Sequence, residues 1–203
     1  MTATPILRRL FQFPGIIAVI IVLLLLAIGG YWWLGNHVFH DELAYSIEDG
    51  YHIHADFRVM IEGEPLNFSK EQYMDVGDVL HLHDGNGWVM HHHAKNQSLG
   101  QFFETLNVSY GDTCLRYDNT AYCENASHSL TLLVNGTKVA NGSGYVPQDL
   151  DRVLVSYHAK NKSLEDEMSQ VTDEACIFSH RCPERGTPPP EACAGSSCVV
   201  SFE

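Results

Sequence analysis

Three times the chain sets histidines at alternate positions, in His52-Ile53-His54, His81-Leu82-His83 and His91-His92-His93. Alternation is the period of a β-strand, in which residues i and i+2 point to the same face about 6.6 Å apart. Each word therefore offers two imidazoles to one point. A sheet that joins the three strands with matching faces gathers His52, His54, His81, His83, His91 and His93 on one surface, with His92 pointing away. Seven of the twelve histidines lie in these words.

The flanking sequence reads as strands and turns. His52 to Ile61 alternates, and Glu62-Gly63-Glu64-Pro65 turns it into a second strand around Leu66 to Phe68. Val79 to His83 forms a third strand, and the tight-turn sequence Asp84-Gly85-Asn86-Gly87 leads into a returning strand from Trp88 to His93. Ser98 can cap a helix whose Leu99, Phe102, Phe103 and Leu106 share one apolar face, ended by Asn107 and Gly111. After an irregular stretch closed by Cys114 and Cys123, Ser129 to Val134 runs into the hairpin turn Asn135-Gly136 and returns over Lys138 to Ala140, and Val153 to Tyr157 is the last core strand. This order predicts an α+β domain with one helix packed across a mixed sheet, β-grasp-like (ubiquitin-like) in architecture; a β-sandwich is the alternative. The words His93-Ala94-Lys95-Asn96-Gln97-Ser98-Leu99 and His158-Ala159-Lys160-Asn161-Lys162-Ser163-Leu164 echo each other where a strand gives way to a helix, through duplication or local convergence.

Ahead of this domain, residues 11–34 carry no charge, and Ile16 to Ile28 is almost wholly aliphatic. Such a run reaches the roughly 20 residues a helix needs to cross a bilayer. It predicts a single-pass anchor in membrane lipid, with Tyr31, Trp32 and Trp33 at the far interface. Arg8 and Arg9 then hold residues 1–10 in the cytoplasm and place the chain after Leu34 outside the cell. Residues 35–50 read as a stalk, 51–164 as the histidine-rich domain, and 165–203 as a tail rich in cysteine and proline in which no regular element is expected.

Ten of the twelve Lys and Arg but all twenty-five Asp and Glu lie after residue 34, a formal charge of −15 that disfavours nucleic acid as a partner and favours cations. An extracellular location agrees with six cysteines that all lie beyond the apolar run, Cys114, Cys123, Cys176, Cys182, Cys193 and Cys198. Cys114 pairs naturally with Cys123; the pairing of the other four stays open, and their spacing favours disulfides over a zinc ribbon. Seven of the ten asparagines, Asn67, Asn96, Asn107, Asn125, Asn135, Asn141 and Asn161, begin an Asn-x-Ser/Thr glycosylation triplet and are expected at the surface.

The six alternate histidines are the candidate ligands of a transition metal, copper or zinc, because imidazole without thiolate suits Zn(II), Cu(II) or Ni(II). Asp84 can add an oxygen or orient an imidazole, and Asp56 shares the parity of His52 and His54. Met60, Met74 and Met90 read as core, with support of Cu(I) as their other role. No Gly-x-Ser-x-Gly elbow, phosphate loop or His-Glu-x-x-His helix is present, and no catalytic residue is assigned. Scavenging, storage or relay of a metal is the first reading. A surface adhesion or assembly module with a histidine-rich interface for a partner or another copy is the second. The third is a metal-dependent hydrolase using Glu62, Glu64 or Asp84 as base.

The pattern His52-x-His54-x-x-Phe57, then His81-x-His83-Asp84-x-x-Gly87, then the histidine strand and Leu99-Gly100-Gln101-Phe102-Phe103, resembles membrane-anchored, His-rich ectodomain proteins of archaea and candidate-phylum bacteria. The likeness covers roughly His52 to Tyr157. Those proteins commonly carry His-Thr-His-Asp where this chain has His81-Leu82-His83-Asp84, a change that leaves both candidate ligands intact. The resemblance implies domain limits and no particular activity.

Overall fold

A computed structural model describes residues 14–38 and 51–189, with side chains of the first segment described over 18–30. Residues 1–10, most of the 35–50 stalk, Cys193 and Cys198 lie outside the described residues. The chain divides into two units, one ending at Tyr45 and one beginning at Ser46.

The first unit contains helix α1, Pro14–Val38. Its large aliphatic side chains from Val19 to Ile28 are 44–66% exposed. Among the described residues no helix is long and apolar enough to cross a membrane. The described side chains, 18–30, supply only part of a span that needs about 20 residues; the rest of the uncharged run lies outside them.

The second unit is a mixed α+β domain. Its central strand β1, Ile53–Ile61, pairs antiparallel with β4, Val89–His92, and with the short β2, Glu64–Pro65. On its other edge β1 runs parallel to β10, Arg152–Ala159. Outward from β4 lies β3, Leu80–His81; outward from β10 lie β8, His128–Val134, and β9, Thr137–Val139. The order is β3-β4-β1-β10-β8-β9, with β2 on β1. The Asn135-Gly136 turn between β8 and β9 has φ of 52° and 80°, the left-handed pair that a type I′ hairpin requires.

Helix α2, Leu99–Thr105, covers one face of this sheet. Its capping box is complete: the Gln101 N–H donates to Ser98 Oγ at 3.3 Å, and the Ser98 N–H donates to Gln101 Oε1 at 2.7 Å. Leu99, Phe102, Phe103 and Leu106 are buried, and Phe102 meets Phe57 of β1 edge-on at 5.1 Å. Each such ring contributes about 1.5–3 kcal/mol by leaving water.

Three expectations change. Leu66 to Phe68 is no strand: β2 ends at Pro65, the last bond to β1 runs from the Leu66 N–H to the Val59 carbonyl at 2.9 Å, and Phe68 turns inward to pack 5.7 Å from Phe57. The stretch between Cys114 and Cys123 is ordered, not irregular. It forms β6, Cys114–Tyr117, and β7, Thr120–Cys123, which with β5, Ser109–Tyr110, make a separate three-stranded sheet. Asp118 and Asn119 turn this hairpin at φ of 47° and 62°, and the disulfide joins directly opposed residues.

The tail also contains regular elements. Helices α3, Glu165–Ser169, and α4, Ala175–Phe178, precede a 3₁₀ turn over Pro183–Arg185, and Cys176 pairs with Cys182. These residues cover the sheet face opposite α2, where Val171 and Met168 pack with Met60 and Leu154, and Ala175 and Phe178 pack with Val89. The core therefore extends past residue 164. Asp56 is the pin. Its carboxylate accepts from Thr172 Oγ1 at 2.5 Å and from the Glu174 and Ala175 backbone N–H groups, each at 2.9 Å. Burial raises its pKa, against those three donors.

Asp56→Ala leaves three donors, that of Ala175 fully buried, without their acceptor and is expected to cost about 2–3 kcal/mol. Hydrogen exchange at Glu174 and Ala175 should accelerate in the variant more than exchange at Leu154 in the sheet. Equal protection of the tail amides in both proteins contradicts the pinning role.

Candidate metal centre

The register of the sheet sets the histidines. In the β1–β4 pair His54 lies opposite His91, and in the β3–β4 pair His81 lies opposite His91. One antiparallel row therefore reads His54-His91-His81 across three strands, all on the face that the tail covers. His83 lies just past the end of β3, while His52 and His93 flank the next row. The imidazoles close a ring of contacts: His83 to His91 4.0 Å between centroids, His91 to His54 4.5 Å, His54 to His52 4.4 Å, His52 to His93 4.2 Å, His93 to His81 5.0 Å and His81 to His83 5.7 Å. Five of the six are buried and His52 is half-buried.

Two groups of three present ligating atoms within 4.8 Å of one another, His52 with His54 and His91, and His81 with His83 and His91. Two nitrogens bound at about 2.0–2.1 Å to one tetrahedral ion sit about 3.3–3.4 Å apart. His83 Nε2 and His91 Nδ1 are 3.2 Å apart.

Polar neighbours fix which nitrogen faces the cluster. Asp84 Oδ2 lies 2.6 Å from His83 Nδ1. The carboxylate accepts, so in a neutral His83 the proton sits on Nδ1 and the lone pair on Nε2. On the other side Ser179 Oγ donates to Asp149 Oδ1 at 2.5 Å, and so accepts from His54 Nδ1–H at 2.8 Å. In a neutral His54 the lone pair is thereby on Nε2. Carboxylate-backed imidazoles of this kind are what metal ligands require of their surroundings. Asp84 is thus placed as an orienting group at the rim of the cluster, its side chain 46% exposed.

Phe178 closes the site from above, its ring 5.3 Å from His91, 5.8 Å from His54 and 6.3 Å from His83. Phe178 and Ser179 both lie within the Cys176–Cys182 loop. Sequence reasoning missed Asp149, Phe178 and Ser179. They stand 95 to 125 residues from His54, and the closely spaced cysteines were the one local sign that this loop is held in shape.

The other expected residues separate clearly. Asp56 shares the parity of His54 but is spent on the tail. Met60 and Met90 are wholly buried in apolar clusters and Met74 packs against one, so none adds sulfur to the histidines. The described cysteines are all in disulfides. Glu62 pairs with His128 at 2.8 Å at the far end of β1, and Glu64 is exposed beside it. His158 is hydrogen-bonded to Thr131 Oγ1 and its neighbour's carbonyl. All seven glycosylation-triplet asparagines are exposed. Two open depressions of about 330 and 430 Å³ contain none of the histidines.

His92 points to the opposite face, stacked 6.1 Å from Phe102. Burial, with smaller contributions from His54 and His81, lowers its pKa from 6.5 to about 3. Its Nε2 has no hydrogen-bond partner.

Comparison of the chain with protein-family models, curated proteins and solved structures gives no match. The side-chain geometry is left as the basis for function.

Because the His92 pKa is depressed in the fold, the unfolded chain binds a proton there that the folded chain does not. The stability this represents is whole above about pH 6.5 and is lost as the pH falls toward about 3, at up to about 1.4 kcal/mol per pH unit. Between about pH 7 and about pH 5, urea unfolding of His92→Leu should lose about 2 kcal/mol less than the wild type does. Identical losses contradict the assignment.

Proposed function

We propose that this protein binds a transition metal ion, copper or zinc, in the histidine ring between its sheet and its C-terminal cover, to scavenge, store or relay it. The observation that carries this reading is the closed ring of six imidazoles, two of which are aimed inward by Asp84 and by the Ser179–Asp149 pair. Burying this many imidazoles side by side forbids their simultaneous protonation, since like charges at such separations in a poorly solvated site are strongly unfavourable. A cation shared among neutral lone pairs resolves that conflict. Nitrogen donors without thiolate or thioether fit Zn(II) or Cu(II).

A β-grasp-like description of the domain draws support from β1 parallel to β10, the β8–β9 hairpin beyond it, and α2 across one face. The anchor and the extracellular location draw on the uncharged run from Phe11 to Leu34, on Arg8 and Arg9 before it, on the two disulfides and on seven glycosylation triplets whose asparagines are exposed. An adhesion module would present its histidines outward, whereas five of the six are buried under Phe178 and its loop. For that reason metal binding is preferred over a histidine-rich contact surface.

The full-length protein, purified in detergent and dialysed against excess Zn(II) or Cu(II), should retain metal by elemental analysis. The double variant His81→Ala/His83→Ala should lose most of it, and His92→Leu should retain it. Undiminished metal in the double variant rules out this assignment.

A further inference from the structure

We infer that the histidine ring holds one ion at a time in two overlapping positions that compete for His91, so that the ion can step across the sheet from one to the other. The inference rests on the metal-binding reading and adds to it a stoichiometry and a route.

The two positions differ in the strands that build them. His52 and His54 come from β1, and His81 and His83 from β3 and the turn after it. Both triads are completed by His91 of β4, the strand between. A neutral imidazole has one lone-pair nitrogen, so it completes one ion's coordination and not two. The orienting groups are likewise separate, since Ser179 and Asp149 serve His54 while Asp84 serves His83. Each triad thus has its own fixed ligand, and His91 is the common member. His93 belongs to neither triad; its ring stacks 4.2 Å from His52 of one and 5.0 Å from His81 of the other and packs the two together. The two ends are also the ways out: His52 is half-buried and Asp84 is the exposed neighbour of His83. An ion entering beside the Asp84 carboxylate meets His83, passes to His91 and leaves toward His52, or travels the reverse way, without losing imidazole coordination.

Two overlapping positions make the total association constant the sum of two. Deleting the weaker one lowers it no more than about twofold, and deleting the shared ligand lowers both. The test titrates the full-length protein in detergent with Co(II), whose visible absorption reports tetrahedral nitrogen coordination, and compares His54→Ala, His83→Ala and His91→Ala. Far-ultraviolet circular dichroism and His91→Gln serve as checks on folding. The expected result is one Co(II) per chain, at least one of His54→Ala and His83→Ala within about twofold of wild-type affinity, and both His91 variants weaker than either. Two ions per wild-type chain, or more than about tenfold loss in both outer variants, overturns the shared-position scheme while leaving metal binding intact. No Co(II) or Zn(II) bound by the wild type overturns both.

Discussion

The face on which a strand residue points is decided by register, and the histidine ring depends on the antiparallel register of β4 against its two neighbours. His91 opposes His54 on one side and His81 on the other. A slip of one residue in β4 would send His91 into the apolar layer and bring His92 out in its place. The sequence around β4 guards against that slip. Met90 belongs to the core beside Ala55, and His92 lies against Phe102, while the Asp84-Gly85 turn, with φ of 57° and 70°, sets where the strand returns. Gly87 fixes the return further, because a Cβ there would fall 2.3 Å from the Ser69 backbone nitrogen.

The second dependence is on the cover. A histidine face open to water is a solvated ribbon; beneath Phe178 five of the six imidazoles are buried, and the Ser179–Asp149 pair and Asp84 orient His54 and His83. Asp56, one turn of the pleat from His54, holds that cover through Thr172, Glu174 and Ala175. Trp88 adds a bond from Nε1 to Glu174 Oε2 at 2.7 Å. The β1 segment therefore contributes both candidate ligands, His52 and His54, and the attachment of the cover above them.

Much of this was legible in the chain because it is encoded by short-range period. Alternation placed six histidines on one face and His92 on the other, and the 99-102-103-106 spacing gave the buried face of α2. Asn135-Gly136 gave its hairpin because both residues tolerate the left-handed backbone. What the sequence hid lies at long range or in weaker signals. The pair Asp118-Asn119 turns a hairpin as well as Asn-Gly does, yet lacks glycine, so the Cys114–Cys123 segment read as irregular. The tail read as unstructured because its helices are only one turn or so long and are held by tertiary contacts, Asp56 and a disulfide, that no local pattern announces. Ser179 and Asp149 are ordinary residues until the fold brings them to His54.

Coordination is the central claim, and X-ray absorption at the metal edge of the Zn(II)- or Cu(II)-loaded full-length protein tests it most directly. The geometry predicts a first shell of three or four nitrogens at about 2.0–2.1 Å, with the outer-shell scattering of at least three imidazole rings and no sulfur. A shell of oxygen alone, or one with a single imidazole, would contradict the account.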